Sequence, residues 1–547
     1  MNLVTKRQLK QVLGSVPWTA ELYWQLRQPG KPLSKSFSLR RIENALPEWL
    51  AMAGEARQEN LASNMPKKRL LVFLTLRYWI EHGSLLSLAL AGLGHEVTLA
   101  YLPYSNYRKP MTNFDLRRQN LYAYQILKQA EPLVKILPVV AIENKPVHPK
   151  HDIPLPEELT QRLHQVSLRD VSYTLQIEEF DLEGEESTAS QLYKLRCERN
   201  LFTAQAVYSW LKSNPIDLVL TPNGSILETG AIYQVARYLG IPITTYEFGE
   251  QRQRIWLAQN DEVMRQETDQ LWQARKDQSL TDDQMAKVQE LFASRQRADL
   301  WENFSRRWQG LPSQGGEQVR HNLGLDDRPM VLLAANVIGD SLTLGRQVFS
   351  QSMTDWLKKT LVHFAGMPMV QLVVRIHPGE RYTKGPSVGD VVRQVLPNLP
   401  ENIHLVAADD AVNTYDLVET ANLGLVYTTT TGLEMAMSGV PVIVSGQTHY
   451  RGKGFTFDPD SWDSFFKLID ELILSGKNSQ LTQEQVKQAW NYAYRFFFEY
   501  PCPFPWHLLY FWEEQKTKPM SYVFSEQGQS EYGDTFRYLV GEPRKYA

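Results

Sequence analysis

The sequence predicts an α/β protein made of two doubly wound, Rossmann-like domains in tandem, with helical additions at both ends. Three observations predict it. Short apolar runs of strand length alternate with helical stretches. That alternation occurs twice, and a turn-forming QGLPSQGG at 309–316 separates the two blocks. Finally, 547 residues exceed the length over which one hydrophobic core keeps growing.

In order along the chain, residues 1–65 read as a helical accessory segment, with Trp18, Leu22, Trp24 and Leu26 giving it a partly apolar face. LLVFLTL (Leu70–Leu76) is typical of a parallel strand covered on both faces. A loop holding Arg77, Glu81 and His82 is expected next, then the helix SLLSLALAGLG and the strand HEVTLAYLP (His95–Pro103). Residues 141–195, rich in Pro, Glu and polar side chains, predict variable loops and isolated helices. Strand, helix and strand return in Pro215–Ser225, a helix from near Ile226 to before Gly240, and Ile241–Phe248. From Gln251 to about Trp308 the pattern is that of a long charged helical region. The first domain is thus expected over 66–310.

The second domain is expected over 326–490. Its strands are Met330–Ala335, Met369–Ile376, Ile403–Ala408, Leu423–Tyr427 and Val440–Gly446, with helices near 348–364, 386–396, 413–421 and 431–438 between them. Residues 491–547, with PCPFP and an aromatic tail, are expected to pack back on the first domain.

Composition narrows the function. With 43% hydrophobic and 22% charged residues the chain is ordinary globular protein, and a formal charge of -3 offers no field to concentrate nucleic acid. Cys197 and Cys502 stand far apart and suggest neither a disulfide framework nor a metal cluster, which fits a reducing, cytoplasmic compartment. The apolar stretches Leu85–Leu93 and Met367–Val374 are too short or interrupted to span a bilayer. MNLVTKRQLKQVLGSVPW reads as a helix rather than a signal peptide. Peripheral membrane contact stays open, because helices rich in Lys, Arg, Trp and Leu can lie in an interface.

Neither GxGxxG nor GxxxxGK[ST] occurs, so the dinucleotide and P-loop readings lose their sharpest support. The informative stretch is instead LGLVYTTTTGLEMAMSGVPVIVSGQTHYRGKG (Leu423–Gly454). Hydroxyls of Thr429, Thr430 and Thr431, with backbone N–H groups at a helix start, suit a nucleotide phosphate, and Gly432 permits close approach. Glu434 either accepts bonds from a ribose or sugar hydroxyl or closes a capping box with Thr431. In RIHPGER (Arg375–Arg381), Arg375 and Arg381 can balance phosphate charge. His377 can hydrogen-bond a phosphate or base, or be structural; Pro378 fixes its turn. In NVIGDSLTLGR (Asn336–Arg346), Asp340 and Ser341 either face the cleft or cap a helix. Arg451-Gly452-Lys453-Gly454 reads as a mobile basic loop near a donor or as a solvated charge cluster.

VRIHPGE, the NVIGDSLTLGR loop and YTTTTGLEMAMSGVPVIVSGQTHYRGKGFTFD together resemble the bacterial capsular and surface-polysaccharide biosynthesis family. That family is related to capsule Kdo transferases and, more distantly, to CMP-sugar-using sialyltransferases. The resemblance covers roughly residues 326–460; it is only general over 68–310 and absent at both termini. It implies a GT-B-like fold whose two domains face a cleft. It also implies a nucleotide held by His377-Pro378 and by Thr429-Thr430, where threonines replace the commoner serines. The implied activity is transfer of a sugar from a nucleotide-sugar, CMP-sugar favoured over UDP- or GDP-sugar, to a glycan or lipid-linked glycan acceptor.

Transfer needs charge stabilisation on the departing nucleotide, and inversion also needs a base for the acceptor hydroxyl. Arg375, His377 and the turn at Thr431 are expected to supply the first without a metal, since no Asp-x-Asp pair is placed to hold one. Glu247 in YEFGE, Glu81 and Asp340 are the candidate acids. Two rivals remain. A sugar-nucleotide epimerase or hydrolase would convert the donor without an acceptor, and a scaffold of polysaccharide assembly would bind no nucleotide.

Overall fold

A computed structural model describes residues 3–61, 67–140, 153–184, 186–304, 309–474, 480–544 and 546. The junction expected at 65/66, Trp308 and the opening of the 141–195 stretch lie outside the described residues.

Two separate sheets form the molecule. The first contains β1 (Arg69–Thr75), β2 (Glu96–Leu102), β3 (Val134–Pro138), β4 (Leu218–Pro222), β5 (Ile243–Glu247), β6 (Arg254–Gln259) and β12 (Cys502–Pro503). Their order is β12-β6-β5-β4-β1-β2-β3. β1 to β5 are parallel, with Val72 opposite both Leu99 and Leu220. β6 and β12 close one edge in antiparallel fashion. The second sheet, with β7 (Met330–Ala334), β8 (Gln371–Arg375), β9 (Ile403–Val406), β10 (Leu423–Val426) and β11 (Val442–Val444), is wholly parallel and ordered β11-β10-β7-β8-β9. The fold is therefore GT-B-like: two Rossmann-like lobes with helical extensions.

The physical cause is visible in β1 and β7. Every residue of MVLLA is buried, as are all but the first of RLLVFLT, because helices cover both faces of each sheet. In both sheets the strand order reverses at the first strand. Crevices consequently open at the carboxyl ends of β1/β4 and of β7/β10, where open α/β sheets bind ligands.

Several elements differ from expectation. Arg77, Glu81 and His82 are not in a loop: the helix begins at Arg77, directly after Leu76 at φ 65°. β6 lies inside the region expected to be helical throughout, and β3 and β12 carry no strong strand pattern. Of the stretch 141–195, expected to hold loops and isolated helices, the helix Glu157–Leu175 and the start of Thr188–Ser213 are the helical parts. The tail from Cys502 to Val540 shares a core with Leu70, Val72 and Leu74. Helical residues Leu271 to Phe292 share theirs with β7, β10 and β11.

The lobes meet through directed polar contacts. The Glu178 carboxylate accepts bonds from Thr354 N (2.7 Å) and Thr354 Oγ1 (2.8 Å). Gly339 packs so closely on the end of the helix Glu157–Leu175 that a Cβ there would lie 2.6 Å from Ser172 O. Second-lobe loops are thus seated on first-lobe backbone.

Candidate functional site

Three turns of the second lobe lie side by side, because β7 separates β10 from β8. After β7 comes Asn336, whose Oδ1 accepts a bond from Thr428 N at 3.1 Å and joins its loop to the threonine turn. After β8 comes His377, whose Nδ1 accepts from Gly379 N at 3.0 Å, so the neutral ring carries its proton on Nε2. A Cβ at Gly379 would lie 3.8 Å from Val337, so the turn opened by His377-Pro378 touches the Asn336 loop.

The threonine turn is shaped from below. Tyr450 Oη donates to Thr429 O at 2.5 Å, and Thr448 Oγ1 donates to Thr428 O at 3.2 Å. Thr429 and Thr431 share a hydroxyl bond of 3.2 Å. The half-buried Thr430 hydroxyl has no partner among the described residues. Gly432 serves protein packing rather than ligand approach: a Cβ there would sit 2.4 Å from Tyr450 Oη and 2.9 Å from Val426. Gly432→Ala should therefore cost about 1–3 kcal/mol in chemical denaturation, the usual penalty for overpacking.

Four more expected ligand contacts are committed elsewhere. Glu434 forms neither a capping box nor an outward contact; it is 6% exposed and paired with Arg295 at 2.5 Å. Arg375 donates to Ala407 O (2.5 Å), Val412 O (3.2 Å) and Thr414 Oγ1 (3.4 Å), tying β8 to the loop after β9. Burial, chiefly, lowers its pKa to about 10. Lys453 is buried and paired with Asp269, and Arg451 donates to Val444 O and Pro459 O, so this basic segment braces its own lobe. Arg381 remains with its guanidinium over the Tyr382 ring.

Arg346 ends the Asn336 loop. It is 4% exposed, and its guanidinium makes no hydrogen bond or ion pair with any described residue. Its carbonyl accepts from Gln447 N at 2.8 Å, next to the Thr448 that bonds the threonine turn. From the first lobe, Arg169 grips Glu262 at 2.9 and 3.1 Å, and Arg265 lies 3.5 Å from Asp261. Burial pushes the Arg346 pKa down to about 10, against the pull of Glu262. Three guanidinium groups thus face two carboxylates, leaving one positive charge for an anion. The sequence reading missed Arg346. A basic residue closing a loop already suspected of lining the cleft was the available signal.

Across the cleft, β4 and β5 end at Asn223 and Glu247. Asn223 Nδ2 donates to Glu247 Oε2 at 3.2 Å, and Phe248 N donates to Oε1 at 3.1 Å. Desolvation outweighs both bonds and pushes the Glu247 pKa up to about 7. Tyr173 lies within the fields of both Glu247 and Asp340 and, chiefly through burial, rises to about 12. Tyr78, in the first turn after β1, feels Glu247 and Tyr173. Tyr173 thus feels a carboxylate from each lobe, and Tyr78 feels that of Glu247. Asp340 itself is occupied locally, accepting from Leu342 N (2.9 Å) and Ser341 Oγ (3.3 Å).

Glu81 and His82 do not join this group. His82 is fully buried beneath the C-terminal tail, with Nε2 3.0 Å from Trp506 O and its pKa lowered by burial to about 4. Glu81 is 4% exposed, and burial raises its pKa near Trp512 and Arg41. Among the described residues, no group of three or more His, Cys, Asp or Glu is placed to hold a metal ion.

The family described as capsule polysaccharide biosynthesis protein matches residues 313–467. No curated protein matches the chain. Among solved structures it is similar to two of Thermosulfurimonas dismutans KpsC. The beta Kdo 2,7 transferase is 13% identical, with TM-score 0.30, over 52% of this chain and 79% of that one. The beta Kdo 2,4 transferase is 16% identical, with TM-score 0.32, over 50% and 79%. The UDP-GlcNAc 2-epimerase of Neisseria meningitidis is 12% identical, with TM-score 0.24, over 79% and 99%. Likenesses this distant say nothing of activity.

Proposed function

We propose that the chain is a metal-independent glycosyltransferase acting in the cytoplasm. It binds a nucleotide-sugar, CMP-sugar by preference, on the 326–490 side and a surface or capsular glycan acceptor on the 66–310 side. One observation carries the reading: an unpartnered guanidinium (Arg346) ends the loop after β7 and an unpartnered hydroxyl (Thr430) stands in the turn after β10, while β5 of the other lobe ends in a carboxyl whose pKa is about 7. The family match over 313–467 supports it by covering the donor side.

In this reading Arg346, His377 and the hydroxyls of Thr429, Thr430 and Thr431 receive the phosphate. The bond from anomeric carbon to phosphate oxygen breaks as the acceptor oxygen bonds to that carbon. The leaving oxygen's charge falls to Arg346 and the hydroxyls, and the acceptor's proton goes to Glu247. Tyr78 and Tyr173 form the acceptor wall. Arg375, Glu434, Gly432 and Lys453 hold the donor lobe in shape.

Calorimetry with CMP, UDP, GDP and their sugar conjugates tests the donor assignment. CMP or a CMP-sugar should bind best, and a UDP or GDP preference would overturn the nucleotide choice. Thr430→Ala and His377→Ala should each weaken binding by about 1 kcal/mol, and Arg346→Ala by about 1.5–3 kcal/mol, as expected for neutral and charge-assisted bonds. Failure of every nucleotide to bind would leave only the scaffold reading. Conversion of the donor without an acceptor would favour the epimerase or hydrolase.

A further inference from the structure

The N-terminal helices Leu3–Ser15 and Thr19–Arg27 form a hairpin that sits on the helix Asn113–Leu127 and leaves many of its large apolar side chains outside. Trp24 packs on the core and Tyr23 meets the Phe114 ring edge-on at 5.6 Å, but much of the contact is polar. Lys10 pairs with Asp115 at 2.7 Å, and Arg117 pairs with Glu21 while donating to Gly14 O (3.2 Å) and Val16 O (3.1 Å). Gly14 lies so close that a Cβ would be 2.7 Å from Phe114 N. Arg118 stacks over Tyr23, 4.5 Å from its ring centre.

Six large apolar side chains stand on the outward side among polar ones. Leu9, Val12 and Val16 are 47%, 62% and 46% exposed; Trp18, Leu22 and Leu26 are 72%, 55% and 78% exposed. Leu9 and Val12 share one face of the first helix, Leu22 and Leu26 one face of the second, and Val16 and Trp18 stand in the turn that joins the two stripes. Around the stripes the charge has a single sign. Residues 1–42 hold eight Lys and Arg against one acid, Glu21, in a chain of net charge -3. Glu21 is spent on Arg117, while Arg7, Arg27, Lys31 and Lys35 are exposed.

We infer that this hairpin docks on the surface of an anionic lipid bilayer. Exposed apolar stripes with a Trp, ringed by unopposed cations, match an interface whose headgroups are negative and whose acyl boundary is apolar. A second copy of the chain fits poorly, since symmetric pairing would set basic rims against each other. No helix among the described residues is long and apolar enough to cross a membrane, so the contact is peripheral. The helix Asn113–Leu127 starts just beyond the carboxyl end of β2, so the bilayer lies at the cleft end of the first sheet. The inference does not depend on the donor-site reading.

Co-sedimentation of the full chain tests it, with vesicles of phosphatidylcholine alone and of phosphatidylcholine mixed equally with phosphatidylglycerol. The protein should pellet with the mixed vesicles, more weakly at high salt, and little with phosphatidylcholine. Trp18→Asp combined with Leu22→Asp should reduce binding by at least about tenfold. Both side chains are exposed and Asp tolerates the φ of 65° at Trp18, so the variant's melting temperature should match the parent's. Absence of pelleting, equal pelleting of the variant, or a dimer of the parent that the variant disperses would each overturn the inference.

Discussion

Glu247→Gln should lower the transfer rate by roughly 100- to 10,000-fold, the range for loss of a positioned general base, while leaving nucleotide affinity unchanged. The reasoning starts from position. Glu247 ends β5 two strands from β1, its two oxygens are held by Phe248 N and Asn223 Nδ2, and it faces Tyr78 and Tyr173. Desolvation raises its pKa to about 7, so a neutral solution holds enough carboxylate to accept a proton and a base strong enough to do so. The parent's rate should rise with pH through about 7, and the Gln variant should lose that limb. Stability moves the other way. The folded protein keeps a proton that the unfolded chain gives up near 4.5, so this carboxyl's contribution is full below that value and lost as pH rises through about 7. Above pH 7 the variant should be no less stable than the parent, which separates lost rate from lost fold. A variant with full rate and an unchanged pH profile would remove Glu247 from the reaction.

The two sheets were legible because buried parallel strands are continuous apolar runs, as LLVFLTL and MVQLVVRI are. β3 and β6 were not. RIWLAQ alternates weakly and lies among charged residues, and its pairing with β5 and the tail strand β12 comes from distant contacts that no local pattern records. At the site, sequence reading located the loops and misjudged what several side chains do in them. The strand-end turns at Asn336, His377 and Thr428 are adjacent through the strand order. Which cations there are spent depends on partners far off in the chain. Arg375 is used up by carbonyls 32 and 37 residues away, whereas Arg346 keeps its guanidinium because Glu262 is already gripped by Arg169. The burial of Glu81 has a related cause: the tail that covers it arrives more than four hundred residues later. Motif spacing shows which residue types collect at a strand end. It does not show which of them remain available.

Glu434→Ala should destabilise the protein by about 3–5 kcal/mol in chemical denaturation, the cost of stripping one partner from a buried ion pair. Glu434 and Arg295 are 6% and 2% exposed and join segments 139 residues apart. The guanidinium is packed against Phe292 and Phe497, with ring centres 4.9 and 4.7 Å away. Removing the carboxylate leaves that cation in an apolar setting with its main counter-charge gone. Replacing both, as Arg295→Met with Glu434→Leu, should recover most of the loss, because apolar side chains of similar volume need no desolvation penalty repaid. The same pair of variants distinguishes the two roles open to Glu434. A residue that touched a ribose would, on truncation, lower nucleotide affinity and spare the melting temperature. A brace of the helix Thr431–Met437 does the reverse: stability falls first, and affinity follows only as the threonine turn loosens. The double variant should then bind nucleotide nearly as well as the parent although it has no carboxylate at 434. Restored stability without restored affinity would return Glu434 to the ligand.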